Sequence, residues 1–192
     1  MRERNIALIG FRATGKSTVG KILARRLGRQ FLDMDQRLAS EAGRDIAAWV
    51  KQDGWDSFRR AESALLKLIS LQKDLVVATG GGVVLDPQSR RVLLENFFTV
   101  WLKATPETIY ARLSSDPGST LTRPSLSELP VKEEIEKVLL QREPLYSQVA
   151  GAEIDTEGKR TIRIADEIEF ILKQSREQGA GSGERGAGKS EE

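Results

Sequence analysis

Short apolar runs alternate with amphipathic stretches along most of this chain. Runs such as Ile6-Ala7-Leu8-Ile9 and Leu75-Val76-Val77-Ala78 have the length and branching of buried strands. They predict strands at 5–9, 30–34, 75–79, 98–103 and 152–155. Between them, apolar residues recur three and four positions apart, as at Val19, Ile22, Leu23 and Leu27, or Ile164, Ile168, Ile171 and Leu172. That period predicts helices at 16–27, 36–42, 45–52, 57–71, 87–96, 106–113, 131–149 and 161–174. Strands alternating with helices argue for an α/β fold, a parallel sheet covered on both faces.

Two stretches break the pattern. Segment 114–130 holds Pro117, Gly118, Pro124 and Pro130 around Arg123, and is expected to be a long lid-like loop, since loops of that length are usually functional. From Ser175 onward the chain is Gly, Ser and charge, and is expected to be a disordered tail, because it has too little apolar surface to offset its ordering entropy. The expected organisation is therefore one domain over 1–174 and a tail over 175–192.

Composition narrows the chemistry. The 192 residues include neither cysteine nor histidine, which excludes disulfides, thiolate or imidazole metal sites and histidine triads. Acid–base work falls to carboxylates, lysine or tyrosine. A formal net charge of +2 is too small to argue for nucleic acid, and no apolar run approaches a membrane span. Met1 leads almost directly into the first strand, leaving no room for a leader, so a cytoplasmic protein is expected.

Residues 10–17 read Gly-Phe-Arg-Ala-Thr-Gly-Lys-Ser between the first strand and the first helix, a complete phosphate-binding P-loop in its proper context. Ala13, Thr14, Gly15, Lys16, Ser17 and Thr18 are the candidate nucleotide contacts. Lys16 is placed to reach the β and γ phosphates of a nucleoside triphosphate, and the Ser17 hydroxyl to ligate Mg²⁺. Residues 183–190 also fit Gly-x-x-x-x-Gly-Lys-Ser, but no strand precedes them and no helix follows. That second match is rejected.

Ligands of doubly wound sheets bind beyond the carboxyl ends of the strands. Strand two ends in Asp33-Met34-Asp35, where two carboxylates on one face could serve Mg²⁺ and an attacking hydroxyl; Asp35 also suits the N-cap of the next helix. Strand three runs into Gly80-Gly81-Gly82, which permits close approach by a ligand. Arg59, Arg123 and Arg142 are candidate anion binders, although spacing alone does not separate them from surface arginines.

Taken in order, the P-loop, Asp33-x-Asp35, Phe58-Arg59-x-x-Glu62, Gly80-Gly81-Gly82, Arg123-Pro124 and Arg142-x-x-Leu145-Tyr146 resemble the shikimate kinases over about residues 5–172. The resemblance implies a three-layer αβα P-loop NTPase fold like that of nucleoside monophosphate kinases, with five parallel strands in the order 2-3-1-4-5. It implies ATP-dependent phosphorylation of the 3-hydroxyl of shikimate, with shikimate, ATP and Mg²⁺ as ligands and a monomer as the working form. By position, Ser17 would ligate the metal and Asp33 would hold it through water, and Asp35 would bind ring hydroxyls and serve as the base or orienting group. Arg59 and Arg142 would clamp the carboxylate, and Gly81 would meet a ring hydroxyl. Arg123 would close over the phosphates, and Lys159, in the loop 156–160, would border the adenine.

The chain departs from the family where Trp55 replaces a usual glutamate and where segment 112–123 is longer. A gluconate kinase of the same fold is the nearest rival, but it has no use for a carboxylate clamp together with the glycine turn. A GTP-binding switch would need an Asn-Lys-x-Asp motif, which the sequence lacks.

Overall fold

A computed structural model describes residues 4–115 and 129–181. The strands are β1 (Asn5–Ile9), β2 (Gln30–Asp33), β3 (Leu75–Ala78), β4 (Phe97–Lys103) and β5 (Ala152–Asp155). They form one parallel sheet in the order β2-β3-β1-β4-β5, as the resemblance implied. Ile6 lies opposite Val76 on one side and Phe98 on the other, which makes β1 the central strand. All five of its residues are buried, and Ile6–Ile9 are apolar without alternation because both faces are covered.

Seven α-helices are seen among the described residues: α1 (Lys16–Leu27), α2 (Met34–Ala42), α3 (Ile46–Ser70), α4 (Pro87–Asn96), α5 (Pro106–Ser115), α6 (Val131–Val149) and α7 (Thr161–Gly181). Alternate side chains of the sheet feed two separate cores. Ile6, Leu8, Val76, Val100 and Leu102 pack against α1 and α7 through Val19, Leu23, Ile164 and Ile168. Ala7, Ile9, Val77 and Trp101 face α3, α4 and α6 through Leu66, Ile69, Leu93 and Tyr146. A third cluster joins Phe11 of the P-loop to Ile109 and Leu113 of α5 and Ile135 and Leu139 of α6.

Three expectations change. Strand two stops at Asp33, whose carboxylate accepts the Gln36 N–H at 3.2 Å and starts α2 at Met34. The cap is therefore Asp33, and Asp35 stands in the first helical turn rather than on the strand. The helices expected at 45–52 and 57–71 form one run, α3, broken at Gly54, where φ 79° and ψ 166° are open only to glycine without strain. Finally, α7 continues to Gly181 instead of ending at 174, since Ser175, Arg176, Glu177 and Gln178 all tolerate a helix. Apart from Ser114 and Ser115 at the end of α5 and residues 129–130, the expected lid and its Arg123 lie outside the described residues, as does segment 182–192.

Candidate active site

The P-loop leaves β1 at Gly10, whose φ of 134° and position permit no side chain: a Cβ there would lie 2.4 Å from the Leu102 carbonyl oxygen of β4. Ala13 and Gly15 also take positive φ, at 63° and 92°, and Gly15 forms the N-cap of α1. Such alternation turns successive N–H groups toward one point, at the positive end of a helix dipole. The Thr14 hydroxyl braces the loop by donating to the Phe11 carbonyl at 2.9 Å. Lys16 is buried and its ammonium donates to the carbonyls of Gly10 (2.9 Å) and Phe11 (2.7 Å), which holds the charge across the mouth of the loop.

The Ser17 hydroxyl donates to Asp33 at 2.5 Å. One carboxylate thus ties α1 to α2 and sets two hard oxygen donors side by side at the edge of the P-loop. That donor set fits Mg²⁺, which is usually held by one or two protein oxygens and completes its shell with water and phosphate.

Beside the loop opens a cleft lined among others by Asp35, Arg59, Gly81 and Arg142. The predicted substrate residues, drawn from α2, α3, the β3–α4 turn and α6, therefore converge. The glycine turn explains how. A Cβ on Gly80 would lie 2.2 Å from Glu62 Oε1 and 2.9 Å from Asp35 Oδ1, and one on Gly82 would lie 2.1 Å from Arg59 Nη2. The Gly81 carbonyl accepts from Arg142 Nη1 at 3.1 Å and from the Tyr146 hydroxyl. Removing side chains from this turn lets two carboxylates and two guanidinium groups crowd around bare backbone.

Electrostatics follow from burial. Glu62, only 2% exposed, pairs with Arg59 at 2.5 Å. Burial pushes its carboxyl above the ordinary range, against the opposing pull of Arg59. Burial also draws the Arg142 guanidinium down, opposed chiefly by Tyr146. The Tyr146 hydroxyl is pushed up to about 12 by burial, so it keeps its proton and remains a donor to Gly81.

On the nucleotide side, Arg112 of α5 donates to the Ala13 carbonyl and to Thr156, each at 3.2 Å, joining the P-loop to the loop after β5. Lys159 of that loop pairs with Glu167 of α7 at 2.8 Å. Arg12 of the P-loop pairs with the buried Glu134 of α6. Sequence reasoning assigned no role to Glu62, Tyr146, Arg112 or Arg12. Helical spacing could have revealed the first two, since Glu62 follows Arg59 by three residues and Tyr146 follows Arg142 by four. Arg112 and Arg12 meet partners far away in the chain, and nothing local marks them.

A family model for shikimate kinase matches residues 12–173. The shikimate kinase of Syntrophus aciditrophicus is 41% identical, covering 86% of this chain and 89% of that protein. The shikimate kinase of Acinetobacter baumannii, solved in complex with shikimate, superposes with a TM-score of 0.84 at 31% identity over 90% of this chain and 94% of that one. A gluconokinase from Sinorhizobium meliloti reaches a TM-score of 0.61 at 16% identity, covering 95% and 99%, and shares the fold alone.

Proposed function

The chain belongs to the shikimate kinase family, and from that premise we propose that it transfers the γ-phosphoryl group of ATP to the 3-hydroxyl of shikimate. One observation carries the assignment of the site. Guanidinium groups from α3 and α6 and the Asp35 carboxylate open into a single cleft beside a complete P-loop. A small hydroxylated carboxylic acid matches that arrangement in charge and reach.

Arg59 and Arg142 bind the substrate carboxylate through their planar forks, as charge-assisted bonds. The Gly81 backbone meets a ring hydroxyl. Asp35 orients the attacking hydroxyl and takes its proton as the oxygen bonds to the γ-phosphorus and the bond to the β–γ bridging oxygen breaks, releasing ADP. Lys16 exchanges the Gly10 and Phe11 carbonyls for phosphate oxygens and neutralises their charge in the transition state. Ser17 and Asp33 would hold Mg²⁺, which when bound would supply further neutralisation of phosphate charge. Ala13, Thr14, Gly15 and Thr18 complete the phosphate cradle, and Arg112 fixes the loop 156–160, including Lys159, against it. Arg123 is assigned the transferring phosphoryl group on the basis of the resemblance. The working form is taken as a cytoplasmic monomer; no helix among the described residues is long and apolar enough to cross a membrane.

The test is ADP release in a coupled assay with shikimate, gluconate and nucleoside monophosphates as acceptors. Turnover with shikimate alone is expected; faster turnover with gluconate would overturn the assignment.

A further inference from the structure

Arg59 approaches the cleft with very little freedom. Its Nη1 is held by Glu62 at 2.5 Å, and its guanidinium lies against Gly82, where even a methyl group would collide. The remaining constraint is aromatic. The guanidinium carbon sits 4.9 Å from the centroid of the Trp55 ring and 5.3 Å from that of Phe58. Trp55 meets Phe58 edge to face at 6.0 Å, and Phe58 meets Trp49 in the same way at 5.7 Å, so the indole is fixed by an aromatic chain running along α3. Trp55 is half-buried and itself lines the cleft.

The chemistry of this contact differs from that of an ion pair. A carboxylate four residues before Arg59 would take up guanidinium N–H groups that a ligand needs. An indole face attracts the cation through its π system and leaves the N–H edges unoccupied. Gly54 sets the geometry, since the break in α3 falls immediately before Trp55 and begins a helical segment in which Trp55 and Arg59 are four residues apart and share a face.

We propose that Trp55 is a positioning residue of the substrate clamp: its ring holds the Arg59 guanidinium with its N–H edge presented to the carboxylate of the acceptor. The inference rests on the reading of Arg59 as a carboxylate clamp. It adds a residue to that clamp, and it predicts an effect confined to the acceptor.

Steady-state kinetics on the full chain test it, using the wild type, Trp55→Leu, Trp55→Phe, Arg59→Ala and the double variant Trp55→Leu/Arg59→Ala, with thermal unfolding of each. Trp55→Leu is expected to raise the shikimate KM about three- to tenfold, the scale of a lost cation–π contact, while kcat and the ATP KM stay within about twofold. Trp55→Phe should recover most of the loss. In the Arg59→Ala background, Trp55→Leu should add nothing, because its route of action is gone. An unchanged shikimate KM in Trp55→Leu, or an equal penalty with and without Arg59, would overturn the inference. An unchanged shikimate KM in Arg59→Ala would overturn the clamp itself, and the inference with it. Should Trp55→Leu fail to fold, Trp55→Met, whose unbranched chain adapts to the vacated space but has no π face, carries the same comparison.

Discussion

Asp33 and Asp35 stand two residues apart, yet their surroundings separate their tasks. Asp33 is held by Ser17 and by the start of α2, whereas Asp35 opens into the cleft beside Gly80. Asp35→Asn therefore leaves the cap untouched and is expected to spare the melting temperature. It cannot take a proton at neutral pH, and turnover should fall by roughly a hundredfold or more. A variant with normal kcat would reduce Asp35 to a binding group. Glu62 makes a prediction of a different kind. Its folded-state pKa lies above the ordinary 4.5, so its contribution to stability is full below that value and is lost as the pH rises through the folded pKa. Wild-type thermal stability should include a component that increases from neutral pH toward about 4.5, and Glu62→Gln should lack it. A difference in Tm between the two proteins that is constant with pH would contradict this sign. The Gln variant should also bind shikimate less well, because Arg59 loses its ionic partner.

Among the elements, α3 was legible as two helices with a gap, and the gap is real: Gly54 interrupts the helix within the expected break. A Cβ on Gly54 would meet nothing within 4 Å, so replacing it tests backbone conformation without a clash. Gly54→Ala is expected to cost about 1–3 kcal/mol, since its φ and ψ fall in a region strained for any other residue. It should raise the shikimate KM more than the ATP KM, because Trp55, Phe58 and Arg59 all lie downstream of the break. Equal changes in both constants would point to general loosening. The same element shows where sequence reading stops. Apolar periodicity located the strands and helices, and the P-loop was readable because its chemistry is contiguous. Asp35 was placed on a strand because alternation cannot register a cap formed by the residue two before it. The crowding of Glu62 and Asp35 around Gly80, and the bond from Tyr146 to Gly81, join elements brought together only by the sheet order. No local pattern encodes them.

For the whole molecule, the central place of β1 has a kinetic meaning. Its neighbours are β3 and β4, so Ile6 pairs with Val76 and Asn5 with Phe97, and the sheet has no hairpin from which to start. Each pairing must first close a long loop, which places sheet formation late and makes it cooperative. The P-loop hangs from the end of this strand, with Gly10 seated against Leu102 of β4 and the Leu8 carbonyl accepting both the N–H and the hydroxyl of Thr79 at 3.1 Å. Nucleotide binding should consequently be a property of the finished sheet. In a denaturant titration, binding of a fluorescent ATP analogue and far-UV circular dichroism should vanish together, provided the binding signal is corrected for the ligand's own stabilisation. Earlier loss of binding would mean that the loop melts locally. During synthesis the order of events runs against the order of the residues: the phosphate site is written well before β4, but it becomes a site only when β4 has docked.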